Sequence, residues 1–234
     1  MPLLSPEDQQ TLRKIFNDRL EGDVTIRYFT QRESPLIVPG QECTYCKETR
    51  ELLEEITALS GRLHLEIRDF VGVAAEAQQL GFSRIPAFVL EGAAKGRVRF
   101  FGIPSGYEFA SLIEDLIDVS TGRVHLSEQT QAVLAGLDQD VHIQVFVTPT
   151  CPYCPRAARL AHQMAVVSER VTADVIEAIE FPDLAQRYRL YGVPKTVIND
   201  LVTFEGAVPE GRFIQEIQRA VSGTTGGGPE APTR

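Results

Sequence analysis

The ten residues TPTCPYCPRA, Thr148–Ala157, set two cysteines three positions apart with a proline and a tyrosine between them. Alone, such a pair fits half of a metal site, a structural crosslink or two thiols that trade electrons. The spacing occurs once more, in GQECTYCKET at Gly40–Thr49, and Cys43, Cys46, Cys151 and Cys154 are all the cysteine in the 234 residues. A shift of 108 carries Cys43 and Cys46 onto Cys151 and Cys154, Ile85–Pro86 onto Val193–Pro194, and Ala77–Gln78 onto Ala185–Gln186. Beyond the proline the shift becomes 104, with Phe100, Gly102 and Phe109 falling on Phe204, Gly206 and Phe213. The four-residue change lies where EGAAKG (91–96) stands against Asn199–Asp200. Self-similarity at a fixed offset marks a tandem repeat of one fold. The units are expected at 1–121 and 122–221, with SGTTGGGPEAPTR (222–234) as a flexible tail too poor in apolar residues to order.

Each unit reads in the same order. Ser5–Pro6 and Ser127 are helix-start signals, a capping hydroxyl in both and a proline at the first helical position in the first. The runs VTIRYF and VHIQVFV are β-branched and aromatic, as buried strands are. A C-x-x-C then heads a helix whose apolar stripe is Leu52, Leu53, Ile56 and Leu59 in the first unit and Leu160, Ala161, Met164 and Val167 in the second. Strands LHLEI and VTADVI, a short helix, an X-Pro site, a hairpin and a last helix follow. VGVAAEAQQ reads as the start of one short, partly buried helix. The pattern β-α-β-α-β-β-α with a leading helix predicts an α/β fold in which each unit has a mixed central sheet flanked by helices.

At a helix N-terminus, unpaired amides and the macrodipole favour negative charge, so a cysteine there is biased towards thiolate. Cys43 and Cys151 are therefore the expected nucleophiles. Cys46 and Cys154, one turn further in, are the expected resolving thiols. Pro86 and Pro194 each follow the first cysteine of their unit by 43 residues and precede a strand. An X-Pro bond adopts cis at low cost. With Ile85 and Val193, the prolines are expected to offer a backbone edge to an extended substrate.

Composition excludes some partners. A net charge of −9 and pI near 5.0 argue against nucleic acid, and no apolar run is long enough to span a bilayer. The N-terminal MPLLSPEDQQTLRKIF lacks the basic-then-apolar form of a secretory signal, so a cytoplasmic home is expected, where C-x-x-C pairs are more often catalytic or metal-binding than structural.

A C-x-x-C helix after a strand, an X-Pro before a hairpin and a closing helix resemble the thioredoxin and glutaredoxin fold. DQDVHIQVFVTPTCPYCPRAARLAHQMA, YGVPKTVIND, TFEGAVPEGRF and FFGIPSGYEF are similar to the tandem protein disulfide oxidoreductases, also called glutaredoxin-like proteins. The resemblance covers residues 3–221. It implies two thioredoxin-like units, each with a redox pair, no bound cofactor, and electrons drawn from NADPH through a thioredoxin reductase-like flavoprotein. It implies protein disulfides as substrates, Cys151 and Cys154 as the nucleophile and resolving thiol of the stronger site, Cys43 and Cys46 as their counterparts, and Pro86 and Pro194 as cis-prolines. Related tandem units precede the flavoprotein part of alkyl hydroperoxide reductase with one cysteine pair, where this chain keeps two. That likeness also allows a peroxiredoxin as partner.

Two departures stand out. Thirteen residues, TQRESPLIVPGQE, separate Phe29 from Cys43, against four between Phe146 and Cys151, an insertion able to shield, reposition or recruit substrate to the first site. The Gly-Gly-rich segment that glutaredoxins set against glutathione is replaced by FEGAVPEGRF after Pro194. Alternatives to the redox reading are a glutathione-dependent glutaredoxin, an electron donor to a peroxidase and a thiolate metal-binding module. A shared zinc would have to bridge the 104 residues between Cys46 and Cys151, far beyond ribbon-type spacing. His64, His125, His142 and His162 do not repeat at the 108 offset and are expected at the surface or in packing; Lys195 and Arg84, beside the prolines, are expected to be solvated. Neither strand leading to a cysteine pair contains an acid.

Overall fold

The structure, a computed structural model, describes residues 3–31 and 43–223. The insertion before Cys43, apart from Thr30 and Gln31, and the tail beyond residue 223 lie outside the described residues.

The first helix, α1 (Pro6–Arg19), starts as its sequence dictates: the Ser5 hydroxyl accepts the Asp8 amide at 3.1 Å and proline occupies the first turn. There follow β1 (Val24–Thr30), α2 (Cys46–Thr57), β2 (Leu63–Asp69), α3 (Ala74–Gln79), the hairpin β3 (Ala87–Glu91) and β4 (Arg97–Phe101), and α4 (Tyr107–Thr121). The second half repeats the order with α5 (Glu128–Ala135), β5 (Val141–Val147), α6 (Cys154–Val167), β6 (Val171–Glu177), α7 (Pro182–Arg187), β7 (Lys195–Ile198), β8 (Val202–Glu205) and α8 (Glu210–Val221). Ser127 caps α5 as Ser5 caps α1, its hydroxyl accepting the Thr130 amide at 3.2 Å. The helix expected from VGVAAEAQQ is α3, with Ala77 buried beneath it.

The two expected sheets are one. All eight strands form a single sheet in the order β2-β1-β3-β4-β6-β5-β7-β8, because β4 pairs in parallel with β6 from Arg97↔Thr172 to Phe101↔Ile176. Each unit alone would leave a row of unpaired amides and carbonyls at that edge, and pairing the two edges satisfies both. Arg99 and Asp174 face each other in this seam and are nearly fully buried. The guanidinium meets the carboxylate through Nε at 2.6 Å and Nη2 at 2.8 Å, and also donates to the Leu80 carbonyl. The four extra residues of the first hairpin have a place here too. The Lys95 and Gly96 amides donate to the carbonyls of Val166 and Ala165 at 3.0 and 2.9 Å, so a loop of the first unit satisfies the last turn of α6. A Cβ on Gly96 would overlap the carbonyl oxygens of Val171 and Ser168, which is why glycine stands there.

Alternation along the strands sends side chains into two layers. On one face Tyr28, Phe88, Phe100, Val145 and Val175 pack beneath residues of α1, α2, α4, α6 and α8; on the other Phe29, Phe82, Phe101, Phe146 and Phe181 pack with Ala77 of α3 and Leu184 of α7. Among the described residues, no helix is long and apolar enough to cross a membrane.

Candidate redox sites

Both cysteine pairs are oxidised, each a disulfide with Cα atoms 5.4 Å apart. The backbone dictates this closeness: the second cysteine opens α2 or α6 while the first lies in the turn just before it, three residues back. The parallel arrangement of β1 with β2, β4 with β6 and β5 with β6 puts both pairs on the same edge of the sheet, beyond the C-terminal ends of β1 and β5. The Cys154 amide, at the head of α6, donates to the Cys151 sulfur at 3.1 Å, a contact that favours thiolate when the pair is reduced. Cys151 retains slight exposure, at 8%, whereas Cys154 has none, so Cys151 is the more accessible sulfur of the pair.

The Ile85–Pro86 and Val193–Pro194 bonds are both cis. The Val193 carbonyl oxygen lies 3.7 Å from the Cys151 sulfur, bringing the backbone before Pro194 directly beside the exposed thiol position. The carbonyls of Pro86 and Pro194 accept the amides of Gly102 and Gly206, each at 2.8 Å. Around this edge stand exposed Tyr45 and Tyr153 inside the two motifs, Tyr107 at the start of α4, Ile179 after β6 and Tyr191 before Pro194. Amphipathic aromatic rings suit contact with extended polypeptide.

The two sites differ underneath. Below α2, the buried Tyr28 hydroxyl donates to the Cys46 carbonyl at 2.7 Å. Burial pushes the Tyr28 phenol up to about 12, so it stays a donor at neutral pH. The matching position of β5 is Val145, and the second site takes its buried polar group from the first unit instead. The Tyr107 amide donates to the Pro149 carbonyl at 3.0 Å, which seats the first turn of α4 against the loop leading to Cys151. Glu108, the next residue, is 3% exposed, and neither carboxyl oxygen has a hydrogen-bond partner among the described residues. Burial, reinforced by the Asp115 carboxylate, pushes its acid up to about 7 against the opposing pull of the Ser111 hydroxyl and the His162 ring.

Helix register puts Glu108 level with Cys154. Further along, Asp115 of α4 meets His162 of α6 at 2.7 Å, so the two helices run side by side in the same direction. Glu108 lies seven residues before Asp115, and Cys154 eight before His162. These steps are about 10 and 12 Å at about 1.5 Å per residue, so the acid and the resolving sulfur lie at about the same level along the paired helices. Sequence reading of the strands alone misses Glu108. The available signal was the polar row Glu108, Ser111, Asp115 and Asp118 on an otherwise apolar helix.

One expectation about charged residues needs correction. Lys195 is buried at 7% because β7 lies inside the sheet, between β5 and β8; its stem is covered while its ammonium reaches the Arg189 carbonyl at 3.2 Å and Glu205 at 3.6 Å. His162 is fully buried, packed edge-on against Phe100 with Nδ1 2.7 Å from Asp115, in keeping with the packing role expected of it. His142 approaches Asp174 at 2.6 Å at the seam, while His64 and His125 are exposed and Arg84 pairs with Asp183.

A thioredoxin-domain family model matches residues 141–219. The AhpF component of alkyl hydroperoxide reductase from Staphylococcus aureus is 30% identical over 156 residues, 65% of this chain and 28% of that protein. The counterpart from Xanthomonas campestris pv. phaseoli is 29% identical over 159 residues, 65% of this chain and 27% of that one. The chain thus spans about a quarter of these relatives' length. Among solved structures, the N-terminal domain of the alkyl hydroperoxide reductase AhpF from Enterococcus faecalis superposes with a TM-score of 0.80 at 24% identity, covering 92% of this chain and 99% of that one. A protein disulfide oxidoreductase from Aeropyrum pernix K1 superposes with a TM-score of 0.80 at 26% identity, covering 94% of each. Residues 141–219 thus match a thioredoxin domain, and the chain as a whole has a thioredoxin-type fold with two C-x-x-C disulfides and two cis-prolines.

Proposed function

We propose that the chain is a protein dithiol–disulfide oxidoreductase whose second cysteine pair is the principal exchange site. The observation that carries this reading is the Cys151 sulfur, slightly exposed, held by the Cys154 amide at 3.1 Å and set 3.7 Å from the carbonyl before cis-Pro194. The Cys151 thiolate attacks one sulfur of a substrate disulfide; a Cys151–substrate bond forms and the other substrate sulfur leaves as thiolate. Cys154 gives its proton to Glu108 and attacks the Cys151 sulfur. The Cys151–Cys154 disulfide forms, the second substrate thiolate leaves, and two electrons have passed to the substrate. Backbone around Val193–Pro194 pairs with extended substrate, as Ile85–Pro86 does at the first site, where Cys43 attacks and Cys46 resolves. The chain itself needs no bound cofactor for these steps. Electrons come from NADPH through a thioredoxin reductase-like flavoprotein, and the reaction runs in the cytoplasm. Net direction follows the reduction potential, where about 30 mV corresponds to about 1.4 kcal/mol.

Similarity to the AhpF component of alkyl hydroperoxide reductase favours one second reading, in which the reduced pair passes electrons to a peroxiredoxin. Insulin reduction separates the cases, with dithiothreitol, NADPH plus thioredoxin reductase, or glutathione as donor, alongside peroxiredoxin-coupled NADPH oxidation. Wild type is expected to reduce insulin, Cys151→Ser to lose most activity and Cys43→Ser to stay near normal. Inactivity of wild type with every donor sinks the oxidoreductase reading, and equal losses sink the ranking of the sites.

A further inference from the structure

The acid level with Cys154 belongs to a larger buried assembly that the exchange steps leave unused. Helix α4 presents Glu108, Ser111, Asp115 and Asp118 in one row, and α6 answers with Arg159, His162 and Gln163. Arg159 pairs with Asp115 and, through Nη2, with Asp118 at 2.6 Å; Gln163 donates to Asp118 at 3.2 Å. His162 turns Nδ1 to Asp115 at 2.7 Å and Nε2 to the Arg99 carbonyl at 3.1 Å, so both ring nitrogens face acceptors. Asp115, Asp118 and His162 are all under 5% exposed. Two carboxylates thus meet a guanidinium and a ring placed to donate twice. Glu108, two turns up the same row, has no hydrogen-bond partner on either carboxyl oxygen among the described residues. The groups that act on it are the Ser111 hydroxyl and the Asp115 carboxylate on its own helix and the His162 ring on α6, which packs on Phe100 at 4.8 Å and reaches the Arg99 carbonyl.

We propose that Asp115 and Arg159, joined across the boundary between the units, are positioning residues that set the charge around Glu108 and so the pH range in which Cys154 resolves a mixed disulfide. The proposal rests on the reading of Glu108 as the acceptor of the Cys154 proton. The Asp115 carboxylate opposes a further negative charge in the same low-dielectric row, and Arg159, paired with Asp115, offsets that opposition alongside the His162 ring. The polar face of the first unit's last helix therefore tunes the chemistry of the second unit's cysteines, an arrangement an isolated second unit would lack.

The test uses the full chain with Cys43→Ser and Cys46→Ser, so that only the second pair reports. Cys151 is loaded as a mixed disulfide with a chromogenic aromatic thiol, and the release of that thiol by Cys154 is followed by stopped flow across the neutral pH range. The parent is expected to show a rate step near neutrality. Asp115→Asn removes a repelling charge and should move the step to lower pH; Arg159→Gln removes the offsetting cation and should move it higher, each by about half a unit or more. Below the parent midpoint, Asp115→Asn then runs several-fold faster than the parent and Arg159→Gln several-fold slower. General loosening of the helix pair would move both in one direction. Unmoved steps, or displacements of the same sign, overturn the proposal. Glu108→Gln separates the two layers of the argument: a step that survives there overturns the Glu108 reading itself, and its loss there with unmoved steps in the other variants overturns only the tuning. Should Asp115→Asn fail to fold, by far-ultraviolet circular dichroism, Asp118→Asn takes its place, with a shift to lower pH expected and none overturning the proposal.

Discussion

Breaking the Arg99–Asp174 pair should cost the chain a large part of its stability. The guanidinium and carboxylate are 4% and 3% exposed and meet through two bonds of 2.6 and 2.8 Å, and Arg99 also stacks over Phe82 and Phe101 at 5.4 and 5.6 Å. Arg99→Met preserves the length and apolar bulk but leaves the Asp174 carboxylate buried with only His142 nearby, at 2.6 Å, to compensate. Removing one partner of such a pair costs about 3–5 kcal/mol, whereas replacing both with apolar groups is close to neutral. At about 2–4 °C per kcal/mol for a chain of this size, the single variant should melt roughly 6–20 °C below wild type. The double variant Arg99→Met/Asp174→Leu should recover most of that loss. Urea unfolding of wild type, both singles and the double gives the coupling energy directly. The pH dependence follows from sign. Arg99 and His142 hold the Asp174 carboxyl below its ordinary range against the opposing effect of burial, so its contribution is present above the unfolded carboxylate value and lost as acid approaches the folded one. Arg99→Met should therefore flatten the fall in stability at acid pH. A loss under about 1 kcal/mol, or strict additivity in the double variant, would refute the idea that the seam is held by this pair.

Glu108 gives the opposite sign. Its acid is raised to about 7 in the folded chain, so the folded state holds an extra proton between the unfolded value near 4.5 and neutrality, and stability falls as pH rises through that window by roughly 3 kcal/mol. Glu108→Gln should remove that slope in urea titrations from acid to alkaline pH while slowing resolution by Cys154. Gly96→Ala should lower the urea midpoint sharply, because the added methyl overlaps the carbonyls of Val171 and Ser168; an unchanged midpoint means the loop can retreat. Tyr28→Phe should cost about 1–2 kcal/mol through the bond lost to the Cys46 carbonyl, and should leave the pH profile of Cys151→Cys154 closure unchanged in a chain lacking the first pair.

Most of the repeat was legible because local chemistry repeats with it. Two C-x-x-C pairs, two X-Pro sites 43 residues on and two serine caps each lie within one unit, and each appears in the structure where the spacing puts it. What escaped reading lies between the units. β4 and β6 are ordinary edge strands in isolation, and nothing periodic announces that they pair. A trace does exist, in an arginine at the centre of RVRFF and an aspartate within VTADVI, two charges in apolar strands that make sense only if each neutralises the other. Lys195 misled for a similar reason: a lysine beside an active-site proline reads as solvated until β8 is known to cover the far edge of β7.

The four residues by which the hairpins differ make sense of the asymmetry between the two sites. With the short turn of the second hairpin, the first would have no backbone to offer α6, and the seam would rest on β4, β6 and the α4–α6 contact alone. The longer loop closes α6 from its C-terminal end through Lys95 and Gly96, while Tyr107 holds the loop before its N-terminal end through Pro149. Helix α6 is thus gripped at both ends by the first unit, with the Asp115–Arg159–His162 cluster between. Helix α2 has its buried hydroxyl from its own unit, in Tyr28. A donor that stays protonated can steady the head of α2 but cannot take a proton from Cys46, whereas an acid raised to about 7 can both accept and return one near neutral pH. The two motifs share spacing, helix head and cis-proline, so the ranking proposed for Cys151 and Cys154 over Cys43 and Cys46 rests on the neighbour each helix acquired where the two halves join.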